Sequence, residues 1–221
     1  MLDPTLQLLH KLVATNSINP VLVPKAAGEA EIARVIAEEM REIGIKVVIE
    51  EVAPGRPNVV GILEGRKAGR SLMFCGHIDT VGVAGMRAPF HPVEKDGKLF
   101  GRGAQDMKGG VAAMIGAARK LSETGGMSAG RLLIAAVADE EYASLGAQAL
   151  VKKWHAEAAV VTEPTDLIIG IGHKGFVWIE IEVEGRAAHG SRPAEGRDAI
   201  FRTGRVLSRL EKLDRELQAK P

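Results

Sequence analysis

SLMFCGHIDTVGV, residues 71–83, is the stretch on which the fold turns. Leu72, Met73, Phe74 and Cys75 form an unbroken apolar run, which suits a strand covered on both faces inside a parallel sheet. Gly76 ends the run, and His77 and Asp79 follow two residues apart. In extended backbone that spacing puts both side chains on one side. An imidazole and a carboxylate at the carboxyl end of a buried strand lie where open α/β sheets bind their ligands.

Working outward, the flanking chain supplies the other parts of such a sheet. Asp3-Pro4 reads as a cap and first-turn proline opening a short helix, and Glu29 to Ile43 reads as a second helix closed by Gly44. Residues 45–52 and 58–63 are rich in β-branched residues and read as strands, and residues 16–28 as a loop between the two helices. Asp96-Gly97 marks a hairpin. Helical patterning over 107–121, an apolar strand over 131–137, a helix over 144–155 and a short strand over 158–161 follow. This order predicts an α/β fold with a mostly parallel, doubly wound sheet and flanking helices. Near Gly170 the pattern changes: over 176–184 apolar and polar residues alternate, as in a strand with one wet face, and a helix is expected over 198–219. Residues 1–172 are therefore expected to form one domain, and 173–221 the beginning of a second.

Composition narrows the classes. At 46% hydrophobic and 26% charged, the 221-residue chain can bury a sizeable core. A formal charge of +1 gives no bias toward nucleic acid or an anionic membrane. No apolar run approaches a membrane span, and the first fifteen residues lack the pattern of a signal peptide. Cys75 is the only cysteine, so no internal disulfide is available, and a cytoplasmic protein is the expectation.

The chemistry sits at strand ends. His77 and Asp79 follow the first apolar strand, Asp106 lies in the glycine-rich GRGAQDMKGG ahead of a helix, Asp139, Glu140 and Glu141 follow the strand at 131–137, and Glu163 follows the strand at 158–161. Each alone has a plain explanation, as a satisfied histidine, a helix cap, a solvated loop or a turn. Together, several carboxylates and one imidazole at a sheet edge would repel one another at a cost of several kcal/mol unless a divalent cation offsets it. Nitrogen and oxygen ligands without sulfur suit zinc, manganese or cobalt.

GHIDTV (76–81), GRGAQDMKGG (101–110), ADEEYASLGA (138–147) and TEPTD (162–166), in this order, resemble the M20 metallopeptidase and deacylase family, nearest its acetylornithine deacetylase and desuccinylase branch. The resemblance implies a zinc-exopeptidase-like catalytic domain and a hydrolase that cleaves the amide of small N-acyl amino acids or peptides. It implies two Zn2+ ions per full site, with Co2+ or Mn2+ as substitutes. His77 and Glu163 would hold the first ion, Glu141 the second, and Asp106 would bridge them. Asp79 would orient His77, and Glu140 would be the general base on the attacking water. A cis peptide is expected after Asp106, and Gln105 stands where the family more often has serine. RAAHGSRP (186–193) resembles the start of the family's lid, whose histidine, here His189, would stabilise the oxyanion, and through which members pair as homodimers. Family members are longer and draw a further histidine ligand from beyond the lid, so the 221 residues correspond to the front part of such an enzyme. A metal-binding fragment without activity and one half of a split enzyme are the alternatives.

Overall fold

The computed structural model describes residues 3–172, 175, 177 and 179–219, in two compact units, Met1–Ile169 and Gly170–Pro221.

In the first unit, Asp3 accepts hydrogen bonds from the N–H groups of Thr5 (2.8 Å) and Leu6 (3.3 Å), capping α1 (Pro4–Ala14). Next come α2 (Ala30–Glu42), the hairpin of β1 (Lys46–Ala53) and β2 (Arg56–Glu64), and β3 (Ser71–His77). β4 (Val93–Lys95) and β5 (Lys98–Phe100) form a separate hairpin whose turn residues Asp96 and Gly97 both have positive φ, as the Asp-Gly signal predicts. α3 (Gly109–Glu123), β6 (Arg131–Val137), α4 (Leu145–Lys153) and β7 (Ala158–Val161) complete the unit.

The main sheet has the order β1-β2-β6-β3-β7. β3 pairs in parallel with β6 on one side and β7 on the other, while β2 runs antiparallel to both β1 and β6. Four strands thus share one direction and β2 opposes them. The antiparallel pairing of β1 with β2 follows from the short Pro54-Gly55 connection, which can only reverse the chain.

Alternate residues of the central strands feed two cores. Leu132, Ile134 and Ala136 face α1, α2 and α3, together with Leu12, Ile36, Met40 and Ile115. Leu133, Ala135 and Val137 face the opposite way, against Met73, Val60 and Leu150 of α4. Burying each large aliphatic side chain contributes roughly 1.5–3 kcal/mol, so β6, covered on both faces, is the main hydrophobic anchor of the unit.

The start of the second helix departs from the expected pattern. α2 begins after Glu29, and Glu29 is fully buried where the pattern suggested an ordinary helix start.

In the second unit, Asp198 accepts from the N–H of Phe201 at 3.0 Å and caps α5 (Ala199–Gln218). The main chains of Arg186 and Arg197 exchange hydrogen bonds of 2.9 and 2.8 Å. Of the strand expected over 176–184, Phe176 and Trp178 lie outside the described residues, as does His173, and the described residues there pair with no neighbouring strand. A lone strand has no ladder to satisfy its backbone groups. Among the described residues no helix is long and apolar enough to cross a membrane.

Candidate metal centre

Because β3, β6 and β7 are parallel, their carboxyl ends emerge at one edge of the sheet, with His77 level with Val137 and Cys75 level with Val161. His77 is the last residue of β3 and is 2% exposed. Its ring is held from both sides. Nδ1 lies 3.0 Å from the main-chain oxygen of Asp79, which fixes that nitrogen as a donor and leaves Nε2 to face the site.

Nε2 is surrounded by carboxylates. Asp106 Oδ1 is 2.9 Å away, Glu140 Oε2 3.8 Å and Glu163 Oε1 3.9 Å. Asp106 comes from the irregular turn Ala104–Lys108, where its peptide bond to Met107 is cis. Glu163 follows β7 by two residues, and the N–H of Thr162 extends the β3 pairing by donating to Cys75. Gly110, in the first turn of α3, packs against Thr162 so closely that an added Cβ would lie 2.4 Å from the Thr162 oxygen. The missing side chain at Gly110 thus lets α3 approach the strand end that carries Glu163.

His77, Asp106 and Glu163 each offer one ligand atom, and the three atoms lie within 4.8 Å of one another. That is near the spread of ligands held about 2.1 Å from one centre. The donor set, imidazole and carboxylates without thiolate, fits zinc, cobalt or manganese. Burial, and secondly the charge of Glu163, push the thiol of Cys75 up to about 11.

The electrostatics agree. Burial alone would lower the basicity of His77, but Asp106 and Asp79 outweigh it and raise the imidazole to about 11. Glu141 is pushed up to about 7, first by burial and then by the charges of Asp106, Asp79 and Glu140, against the pull of His77.

Asp79 is fully buried. Its carboxylate is 3.5 Å from His77 Nδ1, and it also accepts the main-chain N–H groups of Glu140 (3.0 Å, Oδ1) and Glu141 (3.2 Å, Oδ2). The sequence resemblance implies a role for Asp79 toward His77 alone. Asp79 also ties the strand carrying the histidine to the two glutamates.

His189 belongs to the second unit, where it is exposed and its Nδ1 lies 2.8 Å from Ser191 Oγ. The geometry of the first unit therefore unites His77, Asp79, Asp106, Glu140, Glu141 and Glu163, and His189 is described by its own unit alone.

Several buried polar residues around the edge escaped the sequence reading: Asn19, Glu29, Arg56 and Lys108. Asn19 precedes a proline and reads as a turn, Glu29 and Lys108 read as solvated helix starts, and Arg56 follows a Pro-Gly turn. Nothing in their spacing marks burial. Lys108 Nζ donates to the Thr15 oxygen at 2.8 Å, and burial, with Arg102 nearby, lowers its ammonium to about 7.

Residues 73–212 match the family described as Peptidase family M20/M25/M40. Over 209 residues the chain is 34% identical to N-formyl-4-amino-5-aminomethyl-2-methylpyrimidine deformylase of Bacillus subtilis, covering 87% of this chain and 49% of that protein. It is 35% identical over 213 residues to acetylornithine deacetylase of Myxococcus xanthus, covering 93% of this chain and 53% of the relative. The chain thus spans about half the length of these relatives. Among solved structures, a tripeptidase from Staphylococcus aureus superposes with a TM-score of 0.63 at 22% identity, covering 93% of this chain and 55% of that one. An M20 family metallo-carboxypeptidase from Sulfolobus solfataricus gives 0.62 at 22%, covering 73% and 37%.

Proposed function

As the chain belongs to peptidase family M20/M25/M40, we propose that it forms the metal-binding half of a hydrolase that cleaves the amide bond of small N-acyl amino acids or related N-acyl amines. The observation that carries this proposal is the cluster of His77, Asp106 and Glu163 at the carboxyl edge of the parallel strands. The substrate class is supported by two relatives named for removing an acetyl or formyl group from nitrogen.

His77, Asp106 and Glu163 would hold a divalent ion, zinc by preference, and Asp106 and Glu141 a second. Bound there, the ions supply Lewis-acid polarisation of the scissile carbonyl and acidify water. Glu140 would take a proton from the attacking water and later deliver it to the leaving amine, a role supported by its partial exposure and its 3.8 Å distance from His77 Nε2. Asp79 holds the histidine ring and the two glutamate peptides together. His189 serves the oxyanion, and residues 173–221 begin a lid domain through which two copies pair. The exposed apolar residues Ile200, Phe201 and Leu217 of α5 support that pairing. An unpaired cysteine supports a reducing compartment such as the cytoplasm.

The test is to offer the full-length protein a panel of N-acetyl, N-formyl and N-succinyl amines, including N-acetylornithine, with zinc, cobalt or manganese and with a chelator. Turnover abolished by the chelator and restored by metal is expected. Turnover that ignores the chelator would remove the metal-dependent role.

A further inference from the structure

Residues 16–28 look like a plain connection in the sequence, yet Asn19 is fully buried at the centre of a hydrogen-bond array behind the metal centre. Its Nδ2 donates to Asp79 Oδ2 at 2.8 Å and to Asp139 Oδ1 at 2.9 Å, and its side-chain oxygen accepts the N–H of Val21 at 3.0 Å. Both amide protons are therefore spent on carboxylates. The opposite amide orientation would set an oxygen between two anions, so the partners fix the direction of the group.

The array is anchored on its far side. Asp139 Oδ1 also accepts from Arg56 Nη1 at 2.8 Å, and the rest of that guanidinium forks onto Glu29, with Nε at 2.9 Å and Nη2 at 2.5 Å. Glu29 in turn accepts the main-chain N–H of Asp139 at 3.2 Å. Asp139 itself sits at a φ of 65°, in the left-handed region, so the chain makes a sharp turn there as it leaves β6 for Glu140 and Glu141.

On its near side the array ends on Asp79, whose two oxygens accept the peptide N–H groups of those same glutamates. Three buried carboxylates, Glu29, Asp79 and Asp139, are thus organised around one guanidinium and one neutral amide. A carboxylate at position 19 would bring a fourth anion and no N–H.

We propose that Asn19 is a positioning residue: by clamping the Asp79 carboxylate against Asp139, it fixes the two peptide groups that aim Glu140 and Glu141 into the metal centre. The assignment rests on the roles given above to those two glutamates. Groups that hold metal ligands without touching the ion are worth about 10- to 100-fold in affinity.

The experiment compares the wild-type chain with Asn19→Asp, which keeps the shape but removes both N–H donors, and with Asn19→Ser, which adds no charge if the first variant fails to fold. Amide hydrogen exchange, read by NMR on the metal-free protein, should accelerate about tenfold or more at Glu140 and Glu141, while Leu133 and Ile134 in β6 stay within about twofold. Cobalt(II), followed by its visible absorption, should bind about 10- to 100-fold more weakly, with a changed spectrum. Unchanged exchange at both glutamates beside normal cobalt uptake overturns the role of Asn19 alone. Acceleration spread evenly through β6 would mean that Asn19 only stabilises the fold. A wild-type chain that takes up no cobalt overturns the metal-centre reading and this role with it.

Discussion

His77 Nε2 and Asp106 Oδ1 lie 2.9 Å apart, a contact that joins the end of β3 to the turn before α3. With the imidazole raised to about 11, the metal-free site is protonated there at neutral pH. An entering ion has to displace that proton. Titrating zinc at pH 7 in buffers of different ionisation heat should count about one proton released per ion bound at His77, and more where Glu141 also gives one up. No release would mean that the ring is already neutral.

The adjacent glutamates should separate by phenotype. Glu140→Gln in the full-length protein should retain its metal and lose activity by roughly 10²-fold or more, the scale of a missing general base. Glu141→Gln should instead lose occupancy of one ion, read by elemental analysis after dialysis. Equal metal loss in both variants rules out the division of labour.

Two buried cations should tilt the stability of the metal-free chain in opposite directions as pH rises. His77 goes from 6.5 to about 11 on folding, so its stabilisation is complete below pH 6.5 and fades as pH climbs toward 11. Lys108 goes from 10.5 to about 7, so its destabilisation is complete below pH 7 and is relieved as pH climbs toward 10.5. Lys108→Met should expose the falling limb, and His77→Asn the rising one. Urea midpoints at about pH 7.5 and about pH 9.5 measure both slopes, and parallel profiles in the two variants would refute the assignment.

Gly110→Ala should disturb the site from behind. Its new methyl would meet the Thr162 oxygen at 2.4 Å, a clash that only backbone movement relieves. Either α3 retreats or the segment leading to Glu163 shifts, and a displaced ligand weakens metal binding. Overpacking of this kind costs about 1–3 kcal/mol, so a lower melting temperature and weaker cobalt binding are expected together. Unaltered affinity would show that the helix yields and the strand end does not.

Much of the cluster was legible because its residues punctuate apolar runs: His77 ends β3, and Glu140 and Glu163 come just after β6 and β7, although β7 itself lies exposed. The sheet order was not legible. β2 lies between β1 and β6, so its neighbours are separated from each other by some eighty residues of chain, and no local pattern encodes that insertion. The support behind the site was hidden for a different reason. Asn19, Glu29, Arg56 and Lys108 carry side chains that solvent normally surrounds, and only their mutual pairing makes burial tolerable. Pairing is a property of the assembled fold, which a single residue's neighbours in sequence do not reveal.

The position of β3 also dictates an order of assembly. The β1–β2 hairpin can close as soon as it is made, but both partners of β3 lie later in the chain, β6 beginning at Arg131 and β7 at Ala158. During synthesis the run Leu72–Cys75 therefore waits, unpaired on both edges, for a segment more than fifty residues downstream. The strand that delivers the histidine is thus a sticky, unpaired segment in the nascent chain, the kind of species chaperones shield. With Glu163 among the proposed ligands, an ion would find its full set only after that wait is over, so metal capture would report the completed sheet and not guide its construction.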